Sequence, residues 1–343
     1  MKSVQTVCGK ISVNDLGITL PHEHCLIDQR CWWKGEHKEL SKRNLFNQTV
    51  SLQNRGEVIY NCFHFLDNLI FTDIEDSIEE IKRFYLAGGN SIVDLTSDSI
   101  GRDPEALRVI SRSTGINIIM GSGRYIESSL NESDKNLKPG EIAKQIIKEF
   151  ENGVRDTGIK PGIIGEVGIS EGISNKVEVN SLRAAAKAQN HIGCGLSIHP
   201  PIWEKQGGII LDILMEENAD IKKVVLCHCD PTLDDYEYHD SMAKKGCFIE
   251  FDMFGLEIMT FEGIFLPSDG ERIRAVKKQI DLGNIDNILI SGDLCFKIVF
   301  SKWGGWGYGH ILNHIVPRMK KIGITEEEIN KIIVDNPRRL LSF

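Results

Sequence analysis

The chain has no run of about 18 consecutive apolar residues, the least that a membrane-spanning helix needs, so no spanning segment is expected. It has no excess of basic residues. Lys and Arg number 40 against 49 Asp and Glu, and the net charge of −9 disfavours nucleic acid and anionic membranes as partners. The opening residues, Met1-Lys2-Ser3-Val4-Gln5-Thr6, lack the long apolar core of a signal peptide. Cys-x-x-Cys spacing is missing among the nine cysteines, which read as reduced, mostly buried thiols in a cytoplasmic protein. Internal repeats, low-complexity segments and a visible domain boundary are missing too, so residues 1–343 read as one domain.

What is there is an ordinary globular composition, 41% apolar and 26% charged, arranged in a regular alternation. Residues 3–16 read as a short hairpin. An apolar run then climbs through Ile18-Thr19-Leu20-Pro21 to His22 and His24. Residues 25–72 make a long excursion, the length of a lid, a binding loop or inserted helices. After it, strands are expected at 91–95, 116–121, 162–167, 195–199, 223–228, 247–252 and 287–293. Helical spacing fills the gaps, at 73–87, 103–115, 139–153, 178–190, 207–217, 234–244 and 269–281, with two more helices at 309–320 and 325–334. Eight apolar strands, each followed by a helix, suit a parallel sheet covered on both faces and closed into an α/β (β/α)8 TIM barrel. An open doubly wound sheet would carry a glycine-rich phosphate loop after the first strand, where this chain has histidines.

Barrel enzymes keep their chemistry at the C-terminal ends of the strands. Strand 1 ends in His22 and His24, whose two-residue spacing puts both imidazoles on one side of an extended chain. Strand 4 offers Glu166, strand 5 His199, strand 6 His228 and strand 8 Asp293. A lone strand-end histidine is more often a hydrogen-bonded structural residue, and a lone aspartate more often a helix cap. Six metal-competent residues at five strand ends are a different matter, because unpaired they would be costly to desolvate. The inventory suits two divalent cations, zinc first, with Mn, Co, Fe or Ni as other choices. His22, His24 and Asp293 would hold one, His199 and His228 the other, with Glu166 between them and a bridging hydroxide to attack the substrate. Asp293 is the candidate for moving the proton.

In order and spacing these segments resemble the amidohydrolase superfamily and, within it, the phosphotriesterase-like family. The resemblance is carried by Leu20-Pro21-His22-Glu23-His24, Ile92-Val93-Asp94-Leu95-Thr96, Gly101-Arg102-Asp103, Gly165-Glu166-Val167-Gly168, Ser197-Ile198-His199-Pro200, Cys227-His228-Cys229-Asp230 and Ser291-Gly292-Asp293. Gly304-Gly305-Trp306-Gly307-Tyr308-Gly309-His310 and Asp335-Asn336-Pro337-Arg338-Arg339 extend it almost to the end of the chain. Many members bridge their metals with a carboxylated lysine on strand 4. This chain departs from that pattern with Glu166, which has the same single negative charge on a shorter arm.

The resemblance implies a two-metal hydrolase acting on a small molecule, with a small lactone as the expected substrate. The alternatives are a phosphoester or amide hydrolase on the same site, and a metal-binding protein without activity. It also implies a homodimer, and a tyrosine facing the substrate at Tyr125. Arg124 is a candidate for an anionic substrate, with a solvated rim position as the plainer reading. Lys297 and Trp303 lie in the long loop after strand 8, where family members contact the substrate; simple exposure is the plainer reading for Lys297. Trp32 and Trp33 read as a lid or a dimer contact, and Asp230 and Asp252 as loop caps.

Overall fold

A computed structural model describes every residue except Met1, Ile258 and Glu262. Eight parallel strands form one sheet: β1 (Thr19–Glu23), β2 (Ser91–Asp94), β3 (Asn117–Ser122), β4 (Ile163–Gly168), β5 (Gly195–His199), β6 (Val224–Leu226), β7 (Phe248–Phe251) and β8 (Ile288–Ile290). Neighbours in the sheet are neighbours in the sequence, so each strand returns beside the last after one helical crossover. The sheet comes within one seam of closure. There β8 meets β1 without a regular ladder, through Asp293 N–H donating to His22 O at 3.2 Å and the Ser291 hydroxyl lying 2.8 Å from His22 O.

The expected helices are present: α1 (Ile74–Leu86), α2 (Pro104–Thr114), α3 (Pro139–Asn152), α4 (Lys176–Ile192), α5 (Gly207–Glu216), α6 (Tyr236–Lys244) and α7 (Asp269–Asp281). Local chemistry sets their ends. Asp103 accepts from Glu105 N and Ala106 N, Pro104 opens α2, and Gly115 closes it at φ 75°.

Alternation along the strands sorts the core into two parts. Ile118 and Met120 pack outward among the helices, while Ile119 joins Val93, Ile163, Val225, Phe248 and Leu289 inside the barrel. The expected hairpin, Ser3–Thr6 with Gly9–Ser12, contributes Val4 to that inner cluster, and the C-terminal helix contributes Leu340. The excursion 25–72 folds into a two-stranded ribbon (Ile27–Asp28 with Ile70–Phe71) and two short helices (Leu40–Phe46, Arg55–Tyr60). All nine cysteines are free thiols, and only Cys8 is exposed. No helix among the described residues is long and apolar enough to cross a membrane.

Candidate metal centre

The six strand-end residues named above meet at one end of the barrel, each buried by nine-tenths or more. Asp293 Oδ1 lies 3.3 Å from His24 Nε2 and 3.6 Å from His22 Nε2. On the other side Glu166 Oε1 lies 2.9 Å from His199 Nδ1, 2.9 Å from His228 Nε2 and 3.6 Å from His22 Nε2. Three groups that share His22 gather ligand atoms within 4.8 Å of one another: His22 with His24 and Asp293, His22 with Glu166 and His228, and, on the Nδ1 side of the ring, His22 with Cys227, Glu250 and Asp252. The first is the expected trio. In the second His22 stands close, and His199 joins through its contacts to Glu166 and His228.

The donor and acceptor accounts do not close with protein atoms alone. His22 Nε2 is buried without a hydrogen-bond partner. His228 Nε2 faces His199 Nδ1 at 2.8 Å, nitrogen to nitrogen. Two neutral rings can make that contact with one of them donating, but Glu166 Oε1 lies 2.9 Å from both nitrogens and can only accept, so each is also asked for a proton. Burial pulls His228 towards neutrality, but Asp252 and Glu166 outweigh it and hold its pKa well above the ordinary value. Burial likewise raises Asp293 and Glu166, and the surrounding imidazoles outweigh it and draw both carboxyls down. A divalent cation answers all of these demands at once, and imidazole with carboxylate is an appropriate ligand set. The residues fit a metal.

The backbone is bent to bring two of them in. His228 sits at φ 53° and Asp293 at φ 46°, left-handed conformations that non-glycine residues rarely adopt and that cluster at functional sites. Behind the ligands lies an orienting layer. The Asp252 carboxylate reaches both sides of the centre, 3.0 Å from His22 Nδ1 and 2.9 Å from His228 Nδ1. It thereby leaves both Nε2 atoms to face the mouth. Its own backbone N–H donates to Asp230, which is held in turn by Arg272 at 2.6 Å. His24 Nδ1 meets the Thr96 hydroxyl at 2.9 Å. Asp252 and Asp230, expected as loop caps, thus support the histidines. Their one legible signal is the placement of Asp252 two residues beyond Glu250 on an apolar strand, which repeats one face.

Above the centre opens a cavity of about 250 Å³. His199, His228 and Asp293 form its floor, and Trp32, Phe63, Tyr125, Met253, Phe261 and Phe296 its walls. Lys34, Trp203 and Glu204 stand at the rim. Tyr125 is where the sequence placed it: its ring packs edge-on against His199 at 5.2 Å, and its hydroxyl accepts from Trp32 Nε1 at 3.2 Å. Trp32 is therefore a wall of the cavity.

Three substrate-facing candidates are not brought to this mouth. Arg124 leaves the chain on the opposite side from Tyr125 and binds the Asp134 carbonyl (2.7 Å), the Asp134 carboxylate (3.1 Å) and Gln145 (3.2 Å). Lys297 is paired with Asp67 at 2.6 Å, and Trp303 stands edge-on to Phe71 at 6.1 Å. These two fasten the loop after β8 to the excursion after β1. Met253, Phe261 and Phe296 had no sequence signal, because they come from the connections after β7 and β8, where no hydrophobic period runs long enough to read.

An eight-stranded parallel barrel that gathers histidines and carboxylates at one mouth is an architecture suited to a metal-dependent hydrolase. The sequence profile of the phosphotriesterase family matches residues 2–341, and the chain belongs to that family. It is 37% identical to the N-acetyltaurine hydrolase of Dictyostelium discoideum, over 99% of this chain and 98% of the relative. Its fold is similar to that of a resiniferatoxin-binding protein from Rhodobacter sphaeroides, with a TM-score of 0.95 and 37% identity over 99% of this chain and 94% of that one. It is also similar to a lactonase from Listeria monocytogenes, with a TM-score of 0.81 and 25% identity over 99% of both chains.

Proposed function

We propose that this protein is a two-metal hydrolase that cleaves a small N-acyl amide whose amine portion carries an anionic group. The observation that carries the metal reading is the pair of ligand groups sharing His22 on the cavity floor. The substrate class draws on the relative named N-acetyltaurine hydrolase. The cavity agrees with it: a polar floor for the scissile carbonyl, aromatic walls, and Lys34 at the rim as the cationic side chain in its lining.

In this reading His22, His24 and Asp293 hold one cation, His199 and His228 the other, and Glu166 lies between. Bound cations, zinc first among the candidates, would supply Lewis acidity towards the carbonyl and make water acidic enough to attack near neutral pH. The residues do the rest. Asp293, held as a carboxylate, accepts the proton of the attacking water and delivers it to the departing amine. Tyr125 already accepts from Trp32, so its own O–H is left to donate to the substrate. Asp252 keeps the His22 and His228 rings in register throughout.

A lactone is the second reading, favoured by the likeness to the Listeria lactonase. There the leaving oxygen stays tethered, and Asp293 would protonate an alkoxide. A homodimer in the cytoplasm completes the proposal, and sedimentation would test the dimer. The deciding experiment is hydrolysis of N-acetyltaurine, a lactone panel and a phosphotriester by cation-loaded protein, with and without chelator. Chelator-sensitive release of acetate from N-acetyltaurine supports the amide reading. Turnover of a lactone alone replaces it with the second. Turnover that survives complete removal of metal rejects the two-metal mechanism.

A further inference from the structure

The histidine pair on β1 has a third member between its two imidazoles. Alternation turns Glu23 away from the face of His22 and His24 and towards β8. Its side chain is fully buried. Oε1 lies 2.8 Å from the Ser291 hydroxyl and accepts from Gly292 N–H at 2.8 Å, while Oε2 accepts from Leu294 N–H at 3.0 Å. One carboxylate thus grips the backbone on both sides of Asp293.

That grip falls where the chain needs it. Asp293 is at φ 46°, a conformation that persists only when its surroundings impose it. The seam between β1 and β8 has no regular ladder to impose it. Gly292 lets the carboxylate approach: a Cβ there would stand 3.1 Å from Glu23 Oε1 and 2.2 Å from the Leu294 side chain. The same strand that supplies His22 and His24 therefore also sets where their partner Asp293 stands.

We propose that Glu23 is a positioning residue for Asp293, holding the turn from which the Asp293 carboxylate completes the ligand trio with His22 and His24. The proposal rests on the two-metal reading. Its chemistry is an acceptor count: Gly292 and Leu294 each present a backbone N–H, and each meets a different oxygen of Glu23. Glu23→Gln keeps size and shape but turns an amide NH2 towards a backbone N–H, which pushes the turn away.

The test is cobalt binding by the full chain, followed by calorimetry and visible absorption, so that it needs no substrate. Glu23→Gln is expected to bind one cobalt as the parent does and the other about 10- to 100-fold more weakly, the range for loss of a group that orients a metal ligand. Asp293→Asn should weaken the same cobalt. The double variant should bind it no more weakly than Asp293→Asn alone, because Glu23 acts through Asp293. A seam that is merely structural would instead give additive losses, and additivity overturns the proposal. So does parent-like binding of both ions by Glu23→Gln. If Glu23→Gln does not fold, Gly292→Ala makes the same test by displacing the carboxylate, with a weaker second cobalt expected and parent-like binding as the contrary result. A parent protein that binds no cobalt sinks the two-metal reading itself, and the proposal with it.

Discussion

Two cavities flank the loop after β3, and they differ in how their charges are settled. One is the mouth over the metal centre, about 250 Å³. The other is larger, about 590 Å³, and is lined by Arg102, Arg124, Arg155, Asp98, Asp134 and Glu149 among others. Adjacent residues, Arg124 and Tyr125, face one cavity each. In the larger cavity every guanidinium meets a carboxylate: Arg102 with Glu149 at 2.7 Å, Arg124 with Asp134 at 3.1 Å, and Arg155 with Asp98 at 2.6 Å. Arg102 Nε is the exception, buried without a partner. Beneath the smaller cavity His22 Nε2 has no partner, and on its floor His199 Nδ1 and His228 Nε2 crowd one oxygen of Glu166. Charge density and volume alone would select the larger cavity. The kind of group left open separates them: an imidazole nitrogen among carboxylates can take a cation, whereas the Arg102 guanidinium nitrogen is a donor only.

Three substitutions test this contrast. The largest effect is expected for Asp293→Asn in the mouth. With cations saturating, turnover should fall by about 10²- to 10⁴-fold, the contribution of a positioned proton-transfer group. Steady-state rates of the loaded enzyme measure it, and an unchanged kcat would remove Asp293 from the chemistry. Asp252→Asn comes next. It replaces one of two acceptor oxygens that face His22 and His228, and about a 10- to 100-fold loss in cation affinity or turnover is expected. A variant with normal affinity and rate would show that the rings need no orienting carboxylate. The smallest effect belongs to the other cavity. Arg124→Ala should leave kcat/KM close to that of the parent and lower unfolding stability by about 1 kcal/mol, since its partner Asp134 is solvated enough to screen the pair. A large loss of turnover with normal stability would mean that the larger cavity takes part in catalysis.

Much of this could be read before any fold was known. His22, His24, Glu166, His199, His228 and Asp293 stand at the ends of apolar runs whose lengths and spacing mark them as strands. The barrel then forces strand ends together. Asp252 was harder, because in sequence an aspartate just past a strand looks like a loop cap. Its two contacts to His22 and His228 exist only once the barrel curls round and brings the ends of β1, β6 and β7 to one mouth. Arg124 and Lys297 were misplaced for a related reason. Position in a loop says that a side chain is near the rim, and only the path of the loop says which way it points. Arg124 points to Asp134, ten residues on, and Lys297 to Asp67 in the excursion after β1.

Local sequence was therefore enough for the architecture, the family and the set of ligand-type side chains at the mouth. Those depend on local periods and on the chemistry of single residues. The tertiary structure alone decided which carboxylate orients the histidines, which aromatics wall the cavity, and how Glu23 meets the turn at Asp293. The physical reason is distance along the chain: Glu23 and Leu294 are 271 residues apart, and no local pattern can announce a hydrogen bond that forms only when the first and last strands of a barrel come together.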